Sequence, residues 1–277
     1  MRESVPVEPL RTGAPGRVPQ AVRFRATGFS PAPRGTTSWL TFAIVLAAWQ
    51  AAGSLGLVSA LFLPSPLAIA QALWRLAASG QLWTHLSISL LRIGTGWVLG
   101  TAAGISVGLT VGLFSFARAA GLPIVSALFP IPKIALLPLL ILWLGIGETS
   151  KIATIALGVF FPTVIAVYSG VDQVPKNLIR MAQSFELPFL AIVRKVILPG
   201  ALPTIVAGFR ISASIALLLV VSAEMIGAES GIGAFVLQAG NLMQTDQLMA
   251  GVVVLSILGL AVARGIGALE ARVTRWR

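Results

Sequence analysis

Residues 152–171 read "IATIALGVFFPTVIAVYSGV", twenty consecutive positions without a charged side chain. Wound as a helix at 1.5 Å per residue, such a run is about 30 Å long, the thickness of a bilayer's hydrocarbon core. Comparable blocks recur along the 277 residues, which are 56% hydrophobic and only 10% charged. Mean hydropathy is +0.91, and a soluble domain carries about 25% charged residues. The chain therefore reads as an all-α, polytopic membrane protein rather than a soluble domain with a large core. Its formal net charge of +11 does not imply nucleic acid, because the cations sit beside apolar spans. There is no cysteine, which excludes a disulfide framework, a thiolate nucleophile and Cys-ligated zinc. The single histidine, His85, has no carboxylate near it in sequence, so no metal site is expected.

Two materials make up the chain. Residues 1–35 hold six prolines, six arginines and no long apolar run, and read as a disordered basic tail. Residues 36–277 hold about six spans of about 20 residues each, predicted at 38–60, 88–113, 121–146, 152–171, 200–223 and 247–266. Between the first two, "LPSPLAIAQALWRLAASGQLW" carries Leu67, Ala70, Leu73 and Leu76 in a pattern suited to an interfacial helix.

Cations fix the orientation. Placing the N-terminus inside collects the tail arginines, Arg118, Lys176, Arg180, Arg194, Lys195, Arg264, Arg272, Arg275 and Arg277 on one side. Only Arg75 and Lys151 then lie outside, while Arg92, Lys133 and Arg210 fall within spans or at their edges. The positive-inside rule puts both termini in the cytoplasm.

In the second span Gly96, Gly100, Gly104, Gly108 and Gly112 recur every four residues, a small-residue seam that lets another helix approach, within the chain or across a dimer. The loop at about 172–199 interrupts the apolar pattern. Pro175 is placed to start a helix and Pro188 to stop one, with Leu178, Met181, Ala182 and Phe185 on a common face between them. A helix this short is marginal alone. It either lies on the headgroups or docks on a cytoplasmic partner.

This loop resembles the cytoplasmic signature of ABC-importer permeases, E-A-A, three residues, Gly, nine residues, I-x-L-P. With "VILP" (Val196–Pro199) at the motif's end, Arg180, Met181 and Ala182 fall on E-A-A and Glu186 on the glycine. Ala182 and the tail match; Arg180 and Glu186 depart. With Glu186 in the glycine's place, the turn is expected to be closed by Pro188. "LPLLILWLGIGETSKI", "AEMIGAESGIG" and "LEARVTRW" are similar to the nitrate/sulfonate/taurine branch of these permeases, a resemblance covering about residues 36–277.

The resemblance implies a type I ABC importer permease fold in a bacterial inner membrane. It implies two permease copies, identical or paralogous, forming one pathway for a small anionic or zwitterionic solute. Two ATPase subunits would dock on the loop through Leu178, Arg180, Met181, Ala182, Phe185 and Glu186, and an extracytoplasmic binding protein would deliver solute. ATP and Mg would belong to the ATPase; this chain has no G-x-x-x-x-G-K-[ST] and is expected to hold no cofactor.

Lys133, Arg210 and Glu224 are the candidates for the translocation path. A cation at mid-bilayer costs about 2.5–3.5 kcal/mol on insertion scales, so Lys133 and Arg210 need a partner or water. Pro130 and Pro132 would break the third span beside Lys133 and free carbonyls for it. Arg210 can instead snorkel or pair with a carbonyl. Glu224 and Glu229 stand where the fifth span exits, as a solvated rim or as a gate and docking point. No paired carboxylates or Ser/His/Asp set occurs among the spans, so catalysis by this chain is not expected. The alternative to an ATP-driven permease is an ATPase-independent channel or secondary transporter.

Overall fold

The computed structural model describes residues 35–273. The basic tail, together with Arg275 and Arg277, lies outside the described residues. Among those described every regular element is helical. The order is α1 (Gly35–Ser54), α2 (Pro66–Ala78), α3 (Gln81–Leu113), α4 (Ser115–Leu128), a 3-10 turn (Lys133–Leu136), α5 (Leu137–Leu144) and α6 (Glu148–Asp172). Then come α7 (Lys176–Ser184), α8 (Phe189–Ile192), a π-turn (Val193–Ile197), α9 (Leu198–Gly227), α10 (Ile232–Asn241) and α11 (Thr245–Val273).

Four helices are long and apolar enough to cross a membrane: α3, α6, the continuous Phe189–Gly227 rod and α11. The expected third span is broken. Its halves, Ser115–Leu128 and Lys133–Leu144, meet at 87° and count as a fifth span if taken together. The cause is local: Pro130 and Pro132 each lack an N–H, and each ring clashes with the preceding turn. The 20-residue α1 is not among these, since Ser38, Thr41, Gln50 and Ser54 dilute its apolar run.

Helix α6 is central. Half of its most apolar window is buried, against 6% of that of α11. Its contact with α3 is set by the glycine seam. A Cβ added at Gly104 would stand 2.7 Å from Thr163 Cβ and 2.9 Å from the Phe160 carbonyl, and one at Gly108 would stand 2.7 Å from Val167 Cβ. At Gly100 the added carbon would overlap the Ala156 carbonyl. The seam therefore faces α6 of the same chain, with backbone nearly against backbone. On its other side α6 supplies its own small residue, Gly170, 3.0 Å from the Ala201 carbonyl of α9 by the same measure.

Two details depart from the sequence reading. Helix α2 starts from Pro66, capped by Ser65 Oγ accepting from the Ala68 N–H at 3.3 Å. It buries Ile69, Ala72 and Leu76 against Ala250 of α11, while Leu67 and Ala70 point outward. Its inward face is thus set by a neighbouring helix. At the start of the fifth span Pro199 cannot donate to the Lys195 carbonyl, and the chain widens into the π-turn over Val193–Ile197 without breaking the rod.

Candidate functional site

Arg92 lies inside α3, 2% exposed, and its partners come from three other parts of the chain. Nε donates to Glu148 Oε2 at 2.6 Å and Nη2 to Oε1 at 2.5 Å, a two-point grip on the first residue of α6. Nη1 donates to Glu224 Oε1 of α9 at 2.8 Å and to the Ser230 carbonyl at 2.6 Å. Glu224 accepts further bonds from Ser89 Oγ at 2.8 Å and from the Gly233 N–H at 2.8 Å. Ser89 Oγ accepts in turn from the Ile232 N–H at 2.9 Å, and His85 Nδ1 from the Gly231 N–H at 3.1 Å.

The segment "ESGIG" is folded over the buried carboxylate. Gly231 has φ +127°, and a side chain there would run into the Glu224 carboxyl group. Glu224 is 1% exposed, so it is not a residue of a solvated rim; Glu229, five positions on, is exposed. A buried ion pair holds only when its remaining hydrogen-bonding capacity is met, and here it is.

Beside this network opens a cleft of about 870 Å³, lined by Arg92, Glu148, Lys151, Met225, Glu229 and Ser230 among others. The Glu148 side chain is 53% exposed to it, while that of Arg92 is 3% exposed. Lys151 is buried and donates to the Ile146 and Gly147 carbonyls at 3.0 and 3.1 Å, closing the turn before α6. Among the described residues no cluster of His, Asp and Glu is arranged to hold a metal ion.

Lys133 sits at the break between α4 and α5. Its Nζ donates to the carbonyls of Leu128 at 2.6 Å, Ile131 at 2.8 Å and Phe129 at 3.2 Å, and lies 4.3 Å from the centre of the Phe161 ring. It caps carbonyls at the end of α4 and in the break that follows. Arg210 pairs with Glu270 of α11 at 2.6 Å, on a partly exposed face. These two cations and Glu224 are therefore held apart, each by its own partners.

At the opposite end of α6, Asp172 meets Arg118 at 2.9 Å, and Arg118 also donates to Tyr168 Oη at 2.6 Å. This is where the loop 172–199 lies. The helix expected to reach Leu187 ends at Ser184. Glu186 takes φ +56°. The Leu187 N–H bonds to the Ala182 carbonyl at 3.2 Å and the Glu186 N–H to the Gln183 carbonyl at 2.9 Å. This is a complete Schellman ending with glutamate at the left-handed position. The turn expected at Pro188 is thus made at Glu186, the position of the motif's glycine, and Pro188 instead precedes α8.

The face expected to be uniform is divided. Ala182 is buried in a cluster with Val174, Ile192 and Ile197, whereas Leu178, Met181 and Phe185 are 42%, 55% and 73% exposed. Arg180 and Glu186 are exposed as well.

Sequence reading passed over the Arg92 network. An arginine within a span is itself a signal of a paired charge, but its carboxylates lie 56 and 132 residues away.

Residues 100–275 match the family model described as "Binding-protein-dependent transport system inner membrane component". The chain is 38% identical over 246 residues to the taurine transport system permease protein of Escherichia coli, covering 87% of this chain and 90% of that one. It is 37% identical over 235 residues to the Bacillus subtilis protein named "Putative aliphatic sulfonates transport permease protein SsuC", covering 85% of each. Among solved structures, the inward-facing methionine ABC transporter MetNI aligns with TM-score 0.58 at 24% identity over 70% of this chain and 94% of that one. An amino acid ABC transporter crystallised with histidines aligns with TM-score 0.58 at 14% identity, over 74% of this chain and 98% of that one. The last two show the fold, that of a type I ABC importer permease.

Proposed function

Because this chain belongs to the binding-protein-dependent transport system inner membrane components, we propose that it carries small organosulfonates of the taurine class. It is an ABC transporter permease. The observation that carries the substrate is its likeness, across most of both chains, to permeases named for taurine and aliphatic sulfonates.

The partners follow from the same reading. The Glu148 end of α6 faces outward, toward a solute-binding protein, and the Asp172 end faces the cytoplasm; both chain termini lie there too, with α1, less apolar than the others, counted as the sixth crossing, as the cation distribution requires. The exposed Leu178, Met181 and Phe185 of α7 form the seat for an ATPase subunit that holds ATP and Mg. A second permease copy, identical or paralogous, completes the pathway. Lys133, at the proline break beside α6, is then the cation nearest the middle of the path.

The test is uptake by proteoliposomes holding this chain with the ATPase and binding protein encoded beside it. Labelled taurine should accumulate only with internal ATP. Import of another solute class with no sulfonate uptake would overturn the substrate. Sulfonate uptake without the ATPase would restore the channel or secondary transporter.

A further inference from the structure

We propose that the cleft over Arg92 is a weak transit subsite for zwitterions with an anionic head, and that Glu148 occupies the head's position when the cleft is empty. The inference rests on the sulfonate reading above.

Arg92 presents two edges. The Nη1 side is committed inward, to buried Glu224 and the Ser230 carbonyl. The Nε/Nη2 side is taken by Glu148 alone, through two near-parallel bonds. That is the geometry a guanidinium offers to any planar or tetrahedral oxyanion, a sulfonate included. The two edges differ in who holds them. Glu224 is locked by Ser89 and the Gly233 N–H, whereas Glu148, among the described residues, makes side-chain bonds to Arg92 alone, lines the cleft and is half exposed. An anion entering the cleft can displace Glu148 without disturbing the buried pair.

The rest of the lining decides which anion. Besides Arg92, the cleft has one cation, Lys151, whose ammonium is turned onto two carbonyls, and one further carboxylate, exposed Glu229. Once displaced, Glu148 joins Glu229 as a second free negative charge. A simple anion meets both unpaired. A zwitterion presents a cation to them, so the swap conserves ion pairs at both ends. A tethered carboxylate competes at an effective concentration on the order of millimolar. Binding is correspondingly weak, as a site that must also release its solute requires.

The experiment measures direct binding to the permease–ATPase complex in nanodiscs, without binding protein, by saturation-transfer NMR. The probes are taurine and ethanesulfonate, which differ by the ammonium group. Taurine should bind in the millimolar range and ethanesulfonate more weakly by up to about five-fold, the upper end for an exposed ion pair. Glu229→Gln, a surface change outside the buried network, should narrow that ratio. Glu148→Gln should strengthen ethanesulfonate binding by removing its competitor. Arg92→Lys should weaken both. Absence of taurine binding, or a ratio unchanged in both Glu229→Gln and Glu148→Gln, overturns the subsite. If ATP-driven sulfonate uptake persists while binding is absent, the cleft assignment fails and the transport reading stands.

Discussion

At the scale of single residues, burial separates charges that look alike in sequence. Arg92–Glu224 is sealed, with side chains 3% and 0% exposed, while Arg210–Glu270 is open at 51% and 31%. Removing one member of a buried pair costs about 3–5 kcal/mol; without Glu224, Arg92 keeps Glu148, but the Arg92 Nη1, Ser89 Oγ and Gly233 N–H donors lose their buried acceptor. Exposed pairs are worth about 0.2–1 kcal/mol. Thermal unfolding of the purified permease in detergent should therefore show a large loss for Glu224→Leu and almost none for Arg210→Gln. Equal losses would mean that the Arg92 network is open to water. Glu186 makes a separate point. A side chain in the left-handed region costs about 1–2 kcal/mol, and glycine gives back about 0.4–1 kcal/mol through the unfolded chain. Glu186→Gly is expected to leave stability unchanged or raise it by up to about 1.6 kcal/mol. Glu186→Val, β-branched at the same φ, should lower it.

At the scale of elements, what could be read in advance depended on whether the cause lay within the element. The glycine period of α3 was legible because spacing alone defines a seam; its partner was not, since nothing in that period distinguishes α6 from a second copy. The proline break beside Lys133 was legible, being a consequence of missing N–H groups. The inward face of α2 was not legible, because Ala250, more than 170 residues on, chooses it. Glu224 was misread for a like reason: the residues that bond it belong to α3 and to the start of α10. The seam carries its own prediction. Gly104→Leu places a side chain where even a Cβ would stand 2.7 Å from Thr163 Cβ. Overpacking of this kind costs about 1–3 kcal/mol. Because the contact is within one chain, the isolated permease should lose thermal stability before any effect on subunit association. Loss of association with unchanged melting of the single chain would instead place the seam between copies.

For the whole molecule, α6 joins the two ends. Its first residue, Glu148, is held by Arg92 of α3, and its last, Asp172, by Arg118 of α4. A displacement at the α7 loop that tilts α6 is thus felt at the Arg92 cleft, through a helix packed along most of its length. What would drive that displacement is an ATPase seated on the exposed face of α7. Ala182 is turned into this chain's own core and 4% exposed, so it serves as an anchor rather than a contact. In the proposed docking the contact surface is Leu178, Met181 and Phe185, exposed on α7. Burying Phe185 fully is worth about 1.5–3 kcal/mol, about 10- to 100-fold in the docking constant. Phe185→Asp should therefore strip the ATPase from the complex and abolish ATP-driven uptake, while taurine still binds the Arg92 cleft and the permease melts as before. Met181→Cys, a unique thiol in a chain without cysteine, should cross-link to cysteines placed around the ATPase groove, with a yield that changes with nucleotide. Full ATPase retention and undiminished uptake in Phe185→Asp would assign this face to the headgroups and require α6 to be driven from elsewhere.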